Sequence, residues 1–337
     1  MAGARIQRRF AMTMMTVKNR ANSTPPTITA AAIQLDTRVG DTQHNLEACQ
    51  RLAEQAVKQG AQWIALPEFF NTGVCFDPGL VAAIESEDGP SARFLREFST
   101  RHAVVIGGSF MCRVARGGVR NRYVCFSNGE RLGKHDKDLP TMWENAFYEA
   151  GDSDDNGELG RIGDVRVGTA VCWEFMRSQT ARRLQGKVDV LIGGSHWWSL
   201  PNDWPTWLTR RMEAKNAENL LASVQLTAQL IGAPVIHASH CNRIQSRFPG
   251  IPWLTYHGIL EGHTAIVDGH GQLLAHLSKD EGEGIITARI TPGYVGSQLP
   301  VPQRFWLRPR GLLPTLSWHL DGFFGRRWYQ KNVKDLS

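Results

Sequence analysis

The chain has 337 residues, 42% hydrophobic and 21% charged, enough for a full core, and no apolar run near the roughly 20 residues that cross a bilayer, so no integral membrane segment is expected. The formal charge of +6 is carried at the ends: residues 1–27 hold five basic groups and no acid, residues 304–337 a further net +5, and the part between them is −4. Nucleic-acid proteins concentrate positive charge on the folded face that docks, so this distribution argues against a nucleic-acid partner.

Residues 1–27 lack the continuous apolar core and the cleavage site of a secretory signal and are expected to be a disordered basic extension, with Met12, Met14 or Met15 as alternative starts. From Ile28 the pattern turns regular. "ITAAAIQL" predicts a strand, "DTQHNLEACQRLAEQAVKQG" a helix capped by Asp41 and ended by Gly60, and "AQWIALPEFF" a second buried strand. "HAVVIGGSF", "NRYVCFSN", "VRVGTAVCW" and "VDVLIGGSHW" read as further strands, residues 205–231 as a long helix, and "APVIHAS", "HTAIVDG" and "GIITARI" as three more strands. Strands alternating with helices predict a layered α/β protein, as one sheet covered on both faces or as two stacked sheets. With no linker or repeat, residues 28–292 are expected to form one domain. The remainder, 293–337, loses periodicity but holds Phe305, Trp306, Trp318, Phe323, Phe324, Trp328 and Tyr329 among basic residues. Such aromatic content predicts packing on its own domain or on a second subunit, with membrane-surface contact the lesser alternative. The six cysteines show no CxxC pairing, which fits a reduced, cytoplasmic setting.

Glu68 and Cys172 fall where predicted strands run out, and Lys137 lies in the loop "GKHDKDLPT". Strand ends are where α/β proteins gather reactive groups. A carboxylate, an ammonium and a thiol form a chemically competent set: the carboxylate takes the thiol proton, and the ammonium lowers the thiol pKa and holds an oxyanion. Singly, each residue reads as well as a turn glutamate, a solvated lysine or a packed cysteine.

Three strings together resemble the nitrilase superfamily of carbon-nitrogen hydrolases over residues 28–292. "ALPEFFNTG" is similar to the glutamate motif and implies Glu68 as general base; "HDKDLPTMWENAFYEAGD" is similar to the lysine motif and implies Lys137 as the catalytic lysine, ahead of Lys134, and Glu144 as a second, substrate-site glutamate. "VGTAVCWEF" resembles the cysteine motif and implies Cys172 as nucleophile, the Trp173 backbone N–H as an oxyanion donor, and Glu174 as a residue holding the loop. His196 and Trp197, with Trp198, follow the "VDVLIGG" strand and are expected to line a substrate pocket. The resemblance further implies an α-β-β-α four-layer sandwich, no metal or organic cofactor, and a homodimer or higher homo-oligomer, with the 205–231 helix a candidate for the interface.

What it implies for activity is hydrolysis of a small carboxamide through a thioester. A nitrile passing through a thioimidate is the alternative, followed by a soluble acyltransferase and a catalytically idle binding subunit. Phe175 stands where nitrilase-type members write Asn, and neither that pattern nor the amidase pattern is followed after the cysteine, which leaves amide and nitrile both open. "HASHC" places His237, His240 and Cys241 close in sequence, but residues i and i+3 of a strand face opposite ways, which argues against a metal site. "GGSHWW" lacks the nucleophile elbow of serine hydrolases, and no phosphate-binding or dinucleotide fingerprint occurs.

Overall fold

The computed structural model describes residues 26–334. The N-terminal extension expected over residues 1–27 lies, up to residue 25, outside the described residues. Two half-sheets share one plan. In the first, β1 (Ile28–Leu35), β2 (Trp63–Ala65) and β4 (Val105–Arg113) run parallel, and β5 (Val119–Ser127) and β6 (Glu130–Asp136) continue antiparallel. The two-residue β3 (Glu85–Ser86) pairs with β4. In the second, β8 (Val165–Val171), β9 (Val190–Gly194) and β10 (Val235–His240) run parallel, with β7 (Glu158–Ile162) antiparallel at the edge. A separate hairpin pairs β11 (Arg243–Phe248) with β12 (Ile251–Ile259). β13 (Gly262–Val267) and β14 (Leu273–Ser278) extend the second half from β10, and β15 (Gly284–Ile290) pairs with β1. The halves join where Gln34 and Leu35 of β1 meet Ser239 and His240 of β10, at the carboxyl ends of both strands.

Three apolar cores make four layers. Between the half-sheets lie Ala30, Ala32, Trp63 and Val105 from one side and Val171, Val190, Ile192 and Ile236 from the other. Outside the first half, Ile33, Ile64 and Ile106 pack on α1 (Thr42–Lys58) and α2 (Pro90–His102), whose Leu52, Ala56, Leu95 and Phe98 face inward. Outside the second, Ala170, Leu191 and Val235 meet α3 (Ser178–Leu184) and α4 (Thr206–Ile231) through Leu184, Val224, Ala228 and Ile231. Alternate residues of one strand thus serve two cores, as the two-residue period of a sheet requires. The protein is an α-β-β-α sandwich, the second of the two arrangements that the pattern allowed. α1 starts as expected, with the Asp41 carboxylate accepting from the His44 N–H at 3.1 Å. Among the described residues no helix is long and apolar enough to cross a membrane.

The structure differs from the sequence reading after residue 292. A 21-residue helix, α5 (Leu312–Asn332), runs through the segment expected to lack periodicity. It has no single apolar stripe because several of its sides are occupied, and Gly322 and Gly325, poor helix formers, let it approach the turn at residues 142–146. A Cβ at Gly325 would lie 3.0 Å from the Ala146 nitrogen. Tyr329 anchors the helix, its hydroxyl accepting from the Val119 N–H at 3.0 Å. β3, β6, β7, β11, β12 and β14 were also not expected; they are short, polar or edge strands.

The half-sheets approach closely at Gly194, the last residue of β9, where a Cβ would meet the Pro67 Cα at 2.7 Å and the Glu68 nitrogen at 3.1 Å. Gly194→Ala is expected to cost about 1–3 kcal/mol by overpacking, measured as a lowered urea midpoint at unchanged m-value.

Candidate active site

The joined carboxyl ends of the two half-sheets gather four buried polar side chains. Glu68 follows β2, Lys137 follows β6, Glu144 sits in a 3-10 turn (Met142–Ala146), and Cys172 opens a second one (Cys172–Met176) directly after β8. The Lys137 ammonium donates to Glu68 Oε1 at 2.8 Å and to Glu144 Oε2 at 2.7 Å, with all three side chains closed to solvent. One oxygen of Glu68, one of Glu144 and the Cys172 sulfur all lie within 4.8 Å of one another. Such an O, O, S set has the chemistry of a cation site. Here the cation between the two carboxylates is the lysine's own.

Three of the four carboxylate oxygens have hydrogen-bond donors. Glu68 Oε1 also accepts from Asn121 Nδ2 at 2.8 Å, and Oε2 accepts from the His196 backbone N–H at 2.9 Å. The Glu68 carbonyl accepts from His240 Nε2 at 2.6 Å. Burial holds His240 down at about 4, so it is neutral, and its single proton lies on the nitrogen that faces the carbonyl. Glu144 Oε2 accepts from the Thr141 N–H at 2.8 Å and from the Tyr148 hydroxyl as well as from Lys137, whereas Oε1 has no protein partner.

Burial by itself would lower the pKa of Lys137, but the charges of Glu144 and Glu68 outweigh it and raise it. Glu144 is pushed upward by burial, against the pull of Lys137. Burial, then the charge of Glu68, pushes the Cys172 thiol well above its usual value, with Lys137 only partly offsetting them. The resting sulfur is therefore a thiol, and a base must take its proton before it can attack.

The backbone here is strained. Of the six non-glycine residues with positive φ among the described residues, three are Phe69, Met142 and Cys172, at 51°, 49° and 54°. Each costs on the order of 1 kcal/mol or more, and such outliers cluster where geometry serves chemistry. The Cys172 turn is held by Glu174, which accepts from the Val171 N–H at 2.7 Å, from the Asp138 N–H at 2.8 Å and from His135 Nε2 at 3.0 Å. His135 Nδ1 reaches Asp155 at 2.6 Å. Burial lowers the His135 pKa, but Glu174 and Asp155 more than reverse this and raise it to about 10. A charged His135 thus ties the segment before Lys137 to the segment after Cys172.

A cavity of about 320 Å³ opens among residues that adjoin these groups along the chain, although none of the four polar side chains itself lines it. Its wall includes Trp143, Trp173, Trp197 and Trp198, chain neighbours of Glu144, Cys172 and His196. Trp197 and Trp198, which the sequence reading placed in a pocket wall with His196, line this cavity, and so does Trp173. His196 does not line it: the ring is fully buried, its Nε2 accepts from the Val74 N–H at 3.2 Å, and its contribution to the site is the peptide N–H on Glu68. His237 and His240 face different partners, His237 bonding to Ser195 at 2.8 Å.

The carbon-nitrogen hydrolase family model matches residues 29–298. The chain belongs to this family. Among curated relatives, the bifunctional nitrilase/nitrile hydratase NIT4B of Nicotiana tabacum is 29% identical over 177 residues, 45% of this chain and 49% of that protein. The chloroplastic omega-amidase of Arabidopsis thaliana is 29% identical over 178 residues, 47% of this chain and 48% of that one. The chain thus spans about half the length of the curated relatives it matches. The carbon-nitrogen hydrolase from Helicobacter pylori G27 superposes with a TM-score of 0.65 at 20% identity, covering 80% of this chain and 90% of that one, which establishes the shared fold.

Sequence reading did not find Asn121, Tyr148 or the His135–Asp155 pair, and it weighed His240 only as a metal ligand, not as the partner of the Glu68 carbonyl. Asn121 and His240 lie on strands and no local pattern marks them. His135 stands two residues before Lys137, the one signal that was available. Phe175, which replaces the Asn of nitrilase-type members, is buried in the α3–α4 core against the ring of His237 at 5.1 Å.

Because the His135 pKa is raised on folding, its contribution is complete below about 6.5 and is lost as pH rises through about 10. Wild type is expected to lose stability across that window. His135→Gln is expected to show a flatter profile there, read by urea unfolding at stepped pH.

Proposed function

We propose that the protein hydrolyses the carbon-nitrogen bond of a carboxamide to an acid and ammonia through a thioester on Cys172. The observation that supports this reading most is the shared contact of the Lys137 ammonium with Glu68 and Glu144, with the Cys172 sulfur within 4.8 Å of an oxygen of each. Glu68 takes the thiol proton as sulfur attacks the carbonyl carbon. The carbonyl π pair moves to oxygen, where the Lys137 ammonium and the Trp173 backbone N–H hold the oxyanion; one such donor contributes roughly 3 kcal/mol to the transition state. Collapse of the tetrahedral species breaks the C–N bond, and the proton on Glu68 passes to the departing nitrogen. Water then attacks the thioester with Glu68 again as base, and the acid leaves with the sulfur reprotonated.

Glu144 serves as a positioning residue: its Oε2 fixes Lys137, and its unpartnered Oε1 is free to accept from the substrate amide N–H. A nitrile is the second reading, favoured by the nitrilase names among the relatives. The Cys172 thiol would add across C≡N, its proton passing through Glu68 to the nitrile nitrogen, to give a thioimidate, which water converts to the same thioester and ammonia.

An amide and nitrile panel with ammonia detection and intact-mass spectrometry tests the proposal. Wild type is expected to release ammonia and to carry an acyl adduct that Cys172→Ala lacks. Glu68→Gln is expected to lower kcat by at least about 100-fold. Ammonia release undiminished in Cys172→Ala would contradict the assignment.

A further inference from the structure

The cavity lined by Trp143, Trp173, Trp197 and Trp198 is built in part by residues that the family match does not reach. That match ends at residue 298, whereas Pro314, Leu316, Leu320 and Phe324 of α5 line the cavity together with these tryptophans. The two sets of residues are tied together, because the Arg310 guanidinium, just before α5, lies over the rings of Trp306, Trp318 and Trp173 at 3.9, 4.5 and 5.2 Å.

The polar atoms along this wall are mostly engaged with one another. Asn216 donates to the Trp198 carbonyl at 3.0 Å and to Glu261 at 2.6 Å, and accepts from Trp197 Nε1 at 3.1 Å. The Ser199 hydroxyl donates to the Leu200 carbonyl and accepts from the Ile259 N–H. Ser317 donates to Asp321. The indole N–H groups of Trp143 and Trp198 are different: both are buried and neither has a protein partner. An unpartnered buried N–H is unfavourable, and a π face or an acceptor atom satisfies it. A cavity of about 150 Å³ with apolar walls takes up a benzene ring, so 320 Å³ holds more than one ring.

We infer that the acyl group of the substrate is a bulky aromatic one, of arylalkyl or fused-ring size, seated between the four tryptophans and α5 with its carboxamide directed to Cys172. This deepens the reading under Proposed function and rests on it for the reaction. The occupant is apolar because the wall offers few unengaged polar atoms. It is aromatic rather than a plain alkyl chain because ring edges and faces line the space. α5 helps to set the size limit, because Pro314, Leu316, Leu320 and Phe324 line the space together with the tryptophans.

The test compares acetamide, hexanamide, phenylacetamide and 2-naphthylacetamide, by ammonia release with the wild type and by equilibrium binding, read as tryptophan fluorescence, with Cys172→Ala. The aryl amides are expected to exceed acetamide on the order of 100-fold in kcat/KM, and in affinity for Cys172→Ala. Leu320→Trp, at a position 56% exposed and so tolerant of exchange, is expected to cut the ratio of naphthylacetamide to acetamide by about 10-fold or more in both readouts. Equal values across the panel, or a preference for acetamide or hexanamide, would overturn the inference. If no amide releases ammonia, the reaction assignment fails, and the binding arm still decides the inference: tight aryl binding weakened by Leu320→Trp supports it, and absence of aryl binding overturns it.

Discussion

One buried ammonium organises this protein. Two carboxylates, Glu68 and Glu144, are closed to solvent, and moving even one such charge out of water costs several kcal/mol unless it is paired and hydrogen-bonded. Lys137 supplies the pairing for both at once, while Asn121, Tyr148 and backbone N–H groups take most of the remaining lone pairs. Burial, and then the charge of Glu68, keeps the neighbouring thiol protonated, and the Glu68 carboxylate gives its proton somewhere to go. The arrangement that makes the residues tolerable in a core also makes them reactive.

The fold provides for this at a particular place. β1 and β10 join the half-sheets at their carboxyl ends, so loops from both halves converge there. Close approach at Gly194 brings the Glu68 backbone against the second half, and left-handed backbone at Phe69, Met142 and Cys172 turns the chain where a regular strand would carry it past the site. A charged His135 between Asp155 and Glu174 fixes the spacing of the lysine and cysteine segments. α5 then closes the aromatic cavity and, through Gly325, rests on the turn that carries Glu144.

Much of this was legible in the amino-acid sequence, for identifiable reasons. Buried strands such as "ITAAAIQL" and the capped helix behind it follow from periodicity and from Asp41. Glu68 and Cys172 were located by the ends of such strands; Lys137 and Glu144 were located by resemblance, since a lysine after a polar edge strand has no signature of its own. α5 was not legible: its apolar residues serve the cavity, the Val119 region and the 142–146 turn at once, and its glycines reflect close approach. The hairpin of β11 and β12 escaped because "RIQSRF" is too polar and too short to stand out. The partners of Glu68 were invisible because they come from distant strands, and only the folded chain brings Asn121, His196 and His240 to one carboxyl group.

The account depends on Lys137 neutralising both carboxylates, and a double-mutant cycle in urea unfolding measures that directly. Lys137→Met alone is predicted to lose about 3–5 kcal/mol, because it leaves buried carboxylates unpaired, and adding Glu144→Gln is predicted to recover part of that loss, giving a coupling energy above about 1.5 kcal/mol. Strict additivity, or a Lys137→Met variant as stable as the wild type, would contradict it.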